Sequence, residues 1–584
     1  MKKYNNKLLL VASSLVMAVM LFIGACKDSF LEETPTAALT EEVLSSKKGL
    51  EGLLVGAYSP LTGRDIQFYA GFGNWVHGSI LGGEANKGTN GGDQAVANPV
   101  QRFETLPNND LPAQKWRICF EGVARCNTLL RLVNITTDPN ITAADKTSLS
   151  AQARFLRGFY YFELRRLFGA VPYVDENMTA DAAIKVPNNK DIYPEIEADF
   201  QYASDNLPET QSAAGRANKW AAKAFLAKVY LYQKKYAQAK TLFDDVIANG
   251  KTANGQKYAL LPNYADFFKA QNDNSAESVF AAQTAVNTGS TANANGEHVL
   301  NFPYNSGSDG PAGCCGFFQP SFDLANSFRT DANGLPLLDG SYNNAANELK
   351  SDWLIKSADP FTPDAGPVDP RLDHSVGRRG IPYLDWIDHP GDNWIRDQAY
   401  AGPYAPKKFV FYKGTQNTLT DGSSWTRGWT AINQPLMRFA DVLLMAAECE
   451  IEAGSLEKAR EYVNMVRARA ANPASWVKRG DGSNAANYVI GLYNTPWTDK
   501  AAATDAVRFE RKLELSGEGH RFFDLVRWGV AAPVLNAYLQ FEGARLITAL
   551  GGATFTAGKS EVYPIPQAQI DIQGPDVLRQ NPGY

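Results

Sequence analysis

The sequence predicts a mainly α fold, a superhelix of paired α-helices carrying a long, loop-rich insertion with few strands. Three observations predict it. Apolar residues recur at spacings of three and four over most of the outer thirds of the chain, as amphipathic helices require. A helix-pair pattern of alternating large and small residues occurs twice. Between the two copies, residues 250–435 lose that period and become rich in Gly, Asn, Asp, Ser and aromatics.

The periodicity places helices near residues 40–60, 112–134, 143–168, 191–207, 216–233, 236–249, 436–454, 456–470, 503–516 and 519–530. Gly169 before Pro172, Asn249-Gly250, Gly454 and Asn472-Pro473 mark stops. In the first pair, Leu226, Ala227, Tyr230, Tyr236, Ala239, Phe243 and Val246 fall where a tetratricopeptide hairpin needs large and small residues. Ala446, Ala447, Leu456, Ala459, Val463 and Val466 repeat the pattern, with Glu450 standing where the first copy has Tyr230. Small residues let two helices approach while rings fill the groove, and such hairpins need neighbours to bury their faces. The middle region holds Trp353, Trp386, Trp394, Trp425 and Trp429, too many aromatics for a disordered segment. It reads as ordered loops with a few strands, residues 408–412 among them, packed on the helices where binding sites commonly reside.

The N-terminus reads as an address. Lys2, Lys3 and Lys7 precede an apolar run from Leu8 to Ile23, closed by Gly24-Ala25-Cys26. This is the layout of a bacterial lipoprotein signal, with residues 1–25 removed and Cys26 lipidated; an ordinary secretory signal is the alternative. Residues 26–40, acidic and containing Pro35, read as an extended tether. Residues 41–584 read as one domain: a helical scaffold over about 41–249 and 436–530, the loop-rich region over about 250–435, and a C-terminal segment 531–584. Several acyl chains, at roughly 0.8 kcal/mol per buried CH₂, make a durable membrane anchor outside the cytoplasm.

The formal net charge of −5 becomes −8 once the three signal lysines are removed, which argues against nucleic acid or an anionic lipid surface as partner. Beyond Cys26 there are Cys119, Cys126, Cys314, Cys315 and Cys449, whose spacings fit neither a disulfide framework nor a C-x-x-C metal site. Cys119 and Cys126 share a predicted helix face and read as buried thiols. The adjacent Cys314 and Cys315 lie in a Gly-rich loop, where free thiols are the plainer expectation and a vicinal disulfide the alternative. None of the five histidines has a second His or a Cys at i+3 or i+4, so no metal and no cofactor is expected.

An ordered set of motifs then runs through the chain. Asp28, Phe30, Leu31 and Pro35 follow Cys26, and Arg154 and Arg157 lead into Tyr160, Tyr161, Leu164, Phe168-Gly169 and Val171-Pro172. Ala221-Ala222-Lys223-Ala224 leads to Tyr230-Leu231-Tyr232, and Pro320-Ser321-Phe322 is followed by Leu324 and Phe328. Met437-Arg438-Phe439-Ala440-Asp441 runs on to Ala446-Ala447-Glu448, and Phe509-Glu510-Arg511 precedes Glu518-Gly519-His520-Arg521-Phe522-Phe523-Asp524. Tyr563-Pro564-Ile565-Pro566 and Gln580-Asn581-Pro582-Gly583-Tyr584 close the series. In this order they resemble the SusD/RagB family of outer-membrane lipoproteins of the Bacteroidetes type over nearly the whole mature chain. Asp441 stands where the family shows Glu, and Ser516 where a small apolar residue is common. The resemblance implies a SusD-like tetratricopeptide superhelix on the cell surface, bound to a SusC-like TonB-dependent β-barrel transporter. It further implies a loop-rich side that binds nutrient, most often a glycan or oligosaccharide, with no chemistry. A peptide ligand stays open, and no motif carries the binding residues across.

Two other function classes compete at this level. A surface glycoside hydrolase would draw on Glu510, Glu514, Glu518, His520 and Asp524, with Glu510 and Glu514 on one helix face. The plainer reading pairs these charges with Arg511, Arg521 and Arg527. A tetratricopeptide scaffold for other proteins would bind no glycan. Arg479-Gly480-Asp481 matches an adhesion tripeptide of the length that chance supplies.

A sugar offers apolar C–H faces edged by hydroxyls, so its site needs flat rings rimmed by polar groups. Tyr69, Trp75 and Asn86 meet that demand in a Gly-spaced stretch, Trp425 and Trp429 in the polar loop 422–429, and Trp394 beside Asn393 and Arg396. Core packing is the competing role for each ring.

Overall fold

The computed structural model describes residues 40–63, 68–311 and 314–584. The signal, Cys26 and the tether up to residue 39 lie outside the described residues. The longer helices are α1 Lys47–Tyr58, α2 Asp110–Ile135, α3 Ala143–Phe168, α4 Tyr193–Asn206, α5 Lys219–Tyr232, α6 Tyr236–Asn249, α7 Phe439–Ala453, α8 Leu456–Ala470, α9 Lys500–Glu514, α10 Arg521–Arg527 and α11 Ala531–Gly543. Four longer strands accompany them: β1 Ala85–Gly88, β2 Ser278–Ala282, β3 Phe317–Pro320 and β4 Gln434–Arg438.

From α1 to α9 each helix packs on the next, so the chain builds one continuous helical stack. The loop-rich region is inserted between α6 and α7, yet those two helices still touch. Antiparallel pairing of β2 with β4, Phe280 opposite Met437, ties the two ends of the insertion together. A second small ribbon pairs β1 with β3, Ala85 opposite Pro320.

Local chemistry sets the helix ends. Thr142 and Asp145 form a reciprocal capping box that starts α3, and Gly169 at φ +69° ends it. Asn218 caps α5 and Asp499 caps α9 through their side-chain oxygens. Ala227 and Ala239 are fully buried where α5 crosses α6, with Phe243 and Val246 beside them, as the repeat requires. Gly122 on α2 lies against the Tyr160 ring of α3, a spot with no room for a Cβ. Glu450, the departure from the repeat, accepts the Ser455 N–H at 2.8 Å and the Lys240 ammonium at 2.9 Å, joining α7 to α6.

One expectation of the fold needs correction. Residues 408–412 form no strand, because Phe409 takes φ +62° and stacks on His298 at 4.3 Å. The C-terminal segment contributes α11, whose Pro533 sits in the first turn where a missing N–H costs little. Cys314 and Cys315 stand side by side in the turn before β3, Cys315 buried and Cys314 half-buried, while Cys119 and Cys126 are buried thiols as read.

The scaffold and the insertion meet in a buried set of balanced charges. Arg371 bonds Asp369 at 2.7 Å, Glu510 at 2.6 Å and Glu514 at 3.0 Å. Arg438, the last residue of β4, bonds Glu277 at 2.8 Å, Glu514 at 2.6 Å and Glu518 at 2.7 Å. Arg467 reaches Glu510 at 2.8 Å, Arg469 pairs with Glu277 and Glu514, and Lys408 reaches Glu518 at 2.8 Å. These are five cations and five anions, all buried. Burial alone would raise Glu514, but Arg469, Arg438 and Arg371 overcome it and hold the carboxyl at about 2. A second set behind α7 joins Arg511 to Asp524 at 2.9 Å and Arg527 to Glu448 at 2.5 Å, and sets Lys228 3.2 Å from Asp441.

Removing one member of a buried balanced set strands its partners. Arg438→Ala is therefore expected to cost about 3–5 kcal/mol in denaturant unfolding, against well under about 0.5 kcal/mol for Glu461→Gln in the exposed Lys458–Glu461 pair. A loss below about 1 kcal/mol at Arg438 would remove the charge set from its central place.

Candidate functional site: the Trp425 platform

The loop at 422–428 is closed at its base by a two-residue ladder, Thr420 and Asp421 opposite Thr430 and Trp429. The Asp421 carboxylate accepts the Ser423 N–H at 2.9 Å and the Ser423 hydroxyl at 2.6 Å, turning the chain outward. Thr426 Oγ1 accepts the Gly428 N–H at 3.2 Å, turning it back. Trp425 stands at the tip with 54% of its surface exposed. It has edge-on ring neighbours at 6.4 Å in Phe68 and in Trp429.

From Phe68 the rings continue inward through Tyr69, Trp75 and Phe318. The Trp75 indole N–H donates to the Phe68 carbonyl at 2.9 Å, fixing the segment that bears the outer ring. Glu297 anchors the same segment, accepting the Gly73 N–H at 2.8 Å, while the Lys115 ammonium donates to the Gly71 carbonyl at 2.7 Å. Beside the platform the Arg396 guanidinium lies over the Tyr304 ring at 5.2 Å, pairs with Asp93 at 2.5 Å and donates to Thr89 Oγ1 at 2.9 Å. Both members of that pair are about one-third exposed, with Arg396 at 31% and Asp93 at 30%. The turn from Cys314 to Gly316 links the two halves, since the Cys314 N–H points to Thr426 Oγ1 at 3.4 Å and Gly316 abuts Tyr304. An exposed indole backed by rings and flanked by charged and hydroxyl groups suits a sugar's apolar face and hydroxyl edge.

Of the residues singled out in the sequence, Trp425 alone offers a ring face. Trp75, at 1% exposure, is core. Tyr69 is buried beneath Phe68 with its hydroxyl unpartnered, and burial followed by the nearby Asp93 charge holds its proton on. Trp429 is buried against Gly296 and serves as backing. Trp394 packs edge-on against Tyr383 and His389 in a separate small core, and its carbonyl accepts the Tyr304 N–H at 2.9 Å. Asn86 is buried, donating to the Ala401 carbonyl and accepting the Gly88 N–H, both at 2.9 Å. Phe68, Tyr304 and Asp93 were not legible beforehand, because nothing in sequence marks their approach to the Trp425 loop. Arg396 was, as a charged neighbour of Trp394.

The acidic cluster behind the hydrolase reading is consumed by ion pairs. Glu510, Glu514 and Glu518 face Arg371, Arg438, Arg467, Arg469 and Lys408, drawn from distant segments, and only Asp524 takes the expected partners Arg511 and Arg527. Arg479 of the adhesion-like tripeptide donates to the Ala485 carbonyl of its own turn and to the Gly380 carbonyl of a distant segment.

Burial, offset in part by the Lys115 ammonium and backbone N–H donors, pushes the Glu297 carboxyl up to about 7. The folded state then holds a proton that the unfolded chain releases above about 4.5, so this group withdraws stability as pH rises from about 4.5 to 7. Glu297→Gln is expected to flatten the fall in stability over that window, by at most about 1.4 kcal/mol per pH unit. Denaturant midpoints at three pH values check it; parallel profiles for both proteins would assign the slope elsewhere.

The comparisons agree with this architecture. The model of the SusD family matches residues 276–584, and one described as "Starch-binding associating with outer membrane" matches residues 29–231. The SusD-like protein P25 of Formosa agariphila is 25% identical over 549 residues, covering 90% of this chain and 91% of that protein. The starch-binding protein SusD of Bacteroides thetaiotaomicron is 26% identical over 475 residues, covering 76% of this chain and 74% of its own length. Among solved structures, a laminarin-binding SusD-like protein superposes with a TM-score of 0.64 at 24% identity, over 92% of this chain and all of that one. The surface glycan-binding protein A of Bacteroides thetaiotaomicron in complex with laminarihexaose gives 0.63 at 22% identity, over 92% of this chain and 99% of that one. With its helical stack, its inserted loops and a family match spanning more than half its length, the chain belongs to the SusD family.

Proposed function

We propose that this protein is a surface lipoprotein, anchored through Cys26 in the outer membrane, that binds an oligosaccharide and hands it to a partner SusC-like TonB-dependent β-barrel transporter. The single observation that carries the binding role is the exposed Trp425 face backed by Phe68 and Trp429. Two relatives named for starch and laminarin binding support a glycan as the ligand class. The protein acts without bond cleavage, because the carboxylates that a hydrolase would use are locked in buried ion pairs. The lipoprotein-type signal before Cys26 and the family membership support the anchor and the transporter partner.

Affinity electrophoresis in laminarin and in starch tests the binding role. Trp425→Ala is expected to weaken retention about tenfold or more while leaving the unfolding midpoint in place, since the ring is exposed; tenfold corresponds to about 1.4 kcal/mol. Trp75→Ala, by contrast, is expected to cost about 3–5 kcal/mol of stability through a core cavity. Release of reducing sugar from either polymer would overturn the binding-only assignment. Recovery of the purified lipoprotein free of any large β-barrel from gently solubilised membranes would overturn the transporter assignment.

A further inference from the structure

Trp116, Phe120, Val123, Pro172, Val174 and Ile184 line an apolar groove of about 410 Å³ beside α2, completed by Gln569 and Gln573 of the short helix Gln567–Gln573. Ile184 leaves 48% of its surface in solvent, and Gln573 Oε1 is buried with no hydrogen-bond partner among the described residues. Such a groove suits an extended peptide, which brings apolar side chains to cover the lining and backbone N–H groups for an orphaned acceptor.

The described chain begins beside this groove. Thr40 caps the short helix Glu41–Leu44, and Glu41 pairs with Arg131, near the end of α2, at 2.9 Å. Arg131, Asn127, Ala124, Phe120 and Arg117 follow one another at intervals of three and four, so they form one ridge of α2, and the last four line the groove. The chain that precedes Thr40 therefore starts on the ridge that leads into the groove. Arg131 and Phe120 are about 16 Å apart along the helix axis, whereas the stretch from Leu31 to Leu39 spans about 30 Å when extended. Within that reach Phe30 and Leu31 are two large apolar side chains next to the acidic pair Glu32-Glu33, and both lose free energy while water covers them.

We propose that residues 28–36 bind back into this groove in extended form, with Phe30 and Leu31 covering Phe120 and Ile184, and that the groove is consequently the pole of the protein that faces the membrane. The orientation rests on Cys26 being the lipid anchor, as proposed above; the docking does not. With Phe30 seated, residues 27–29 alone separate the anchor from the body, roughly 13 Å of chain at most. The rival occupant is a segment of the partner barrel.

The test uses the purified lipoprotein in mild detergent. Cleavage by a glutamyl endopeptidase after Glu32 and Glu33 is timed against the same cuts in a free peptide of residues 26–40, and benzoylphenylalanine is placed at position 30 so that its photo-cross-links can be mapped. Cleavage is expected to be at least about tenfold slower in the protein than in the peptide, with cross-links falling in 116–127, 172–184 and 567–573. The Phe30→Ser, Leu31→Ser double variant is expected to restore the peptide's rate. From the other side of the contact so is Ala124→Glu, whose unfolding midpoint should stay in place because Ala124 is exposed. Cleavage as fast in the protein as in the peptide, or cross-links outside the groove, would overturn the docking. Cross-links from position 30 to a large β-barrel in whole outer membranes would overturn it in favour of the rival. Fatty-acid labelling of the same protein decides the anchor separately: absence of label sinks the membrane-facing orientation, while the cleavage and cross-link readouts still decide the docking.

Discussion

Charge balance in a dry interior is the constraint on which this structure depends. Isolated ions of either sign cost several kcal/mol each when taken out of water, so the inward-facing arginines of β4, α8 and the segment at 369–371 require carboxylates from α9 and its following turn. Ion pairs of this set cross the junction between the helical stack and the insertion. Glu510 and Glu514 come from the stack, Arg371 and Lys408 from the insertion, and Arg438 from the neck that joins the two. Two bodies that hydrophobic burial would leave free to slide are thereby held in one register, because a carboxylate accepts a guanidinium only over a narrow range of positions.

The ligand platform is built on that fixed junction. Glu277, at the entry of β2, and Arg438, at the exit of β4, pair inside the charge set. The loops between β2 and β4 consequently start from a rigid base. Within them, Trp425 is presented by short-range turn chemistry, while the rings beneath it come from the N-terminal third of the chain. The site is thus an edge shared by two distant stretches of sequence, with buried aromatics acting as struts.

How much of this was legible follows from the range of each interaction. Helices such as α3, with its capping box and Gly169 stop, and the α5–α6 pair, with Ala227 against Ala239, declare themselves because their determinants lie within a few residues. The hidden partners of Glu510 and Glu514 did not, because only neighbours three or four apart can be read from a helix, and Arg371 and Arg438 lie far away in sequence. The same limit governs the aromatics. Trp75, Trp394, Trp425 and Trp429 look alike in composition, and only the fold decides that Gly296 covers one ring, Tyr383 another, and that about half of Trp425 is left open. Phe409 shows the converse failure, an apolar run that looks extended until one residue adopts a left-handed backbone to meet a histidine face.

One contact has consequences for how the protein comes into being. Gly78 and Gly519 meet backbone to backbone with no room for a side chain on either, and the Gly519 N–H donates to Ser79 Oγ across 440 residues of sequence. The segment holding Phe68 and Trp75 is thereby wedged against the last hundred residues of the chain. Contacts of such separation form late, after the entropy of closing a very long loop has been overcome. A chain emerging from its N-terminus has to keep the aromatic struts of its binding edge unassembled until nearly all of it is present. Molecules truncated before Gly519 would carry every ring of the platform, Phe68 and Trp429 included, without the wedge that seats the segment of Phe68 and Trp75, and so would not compete for nutrient with the finished protein.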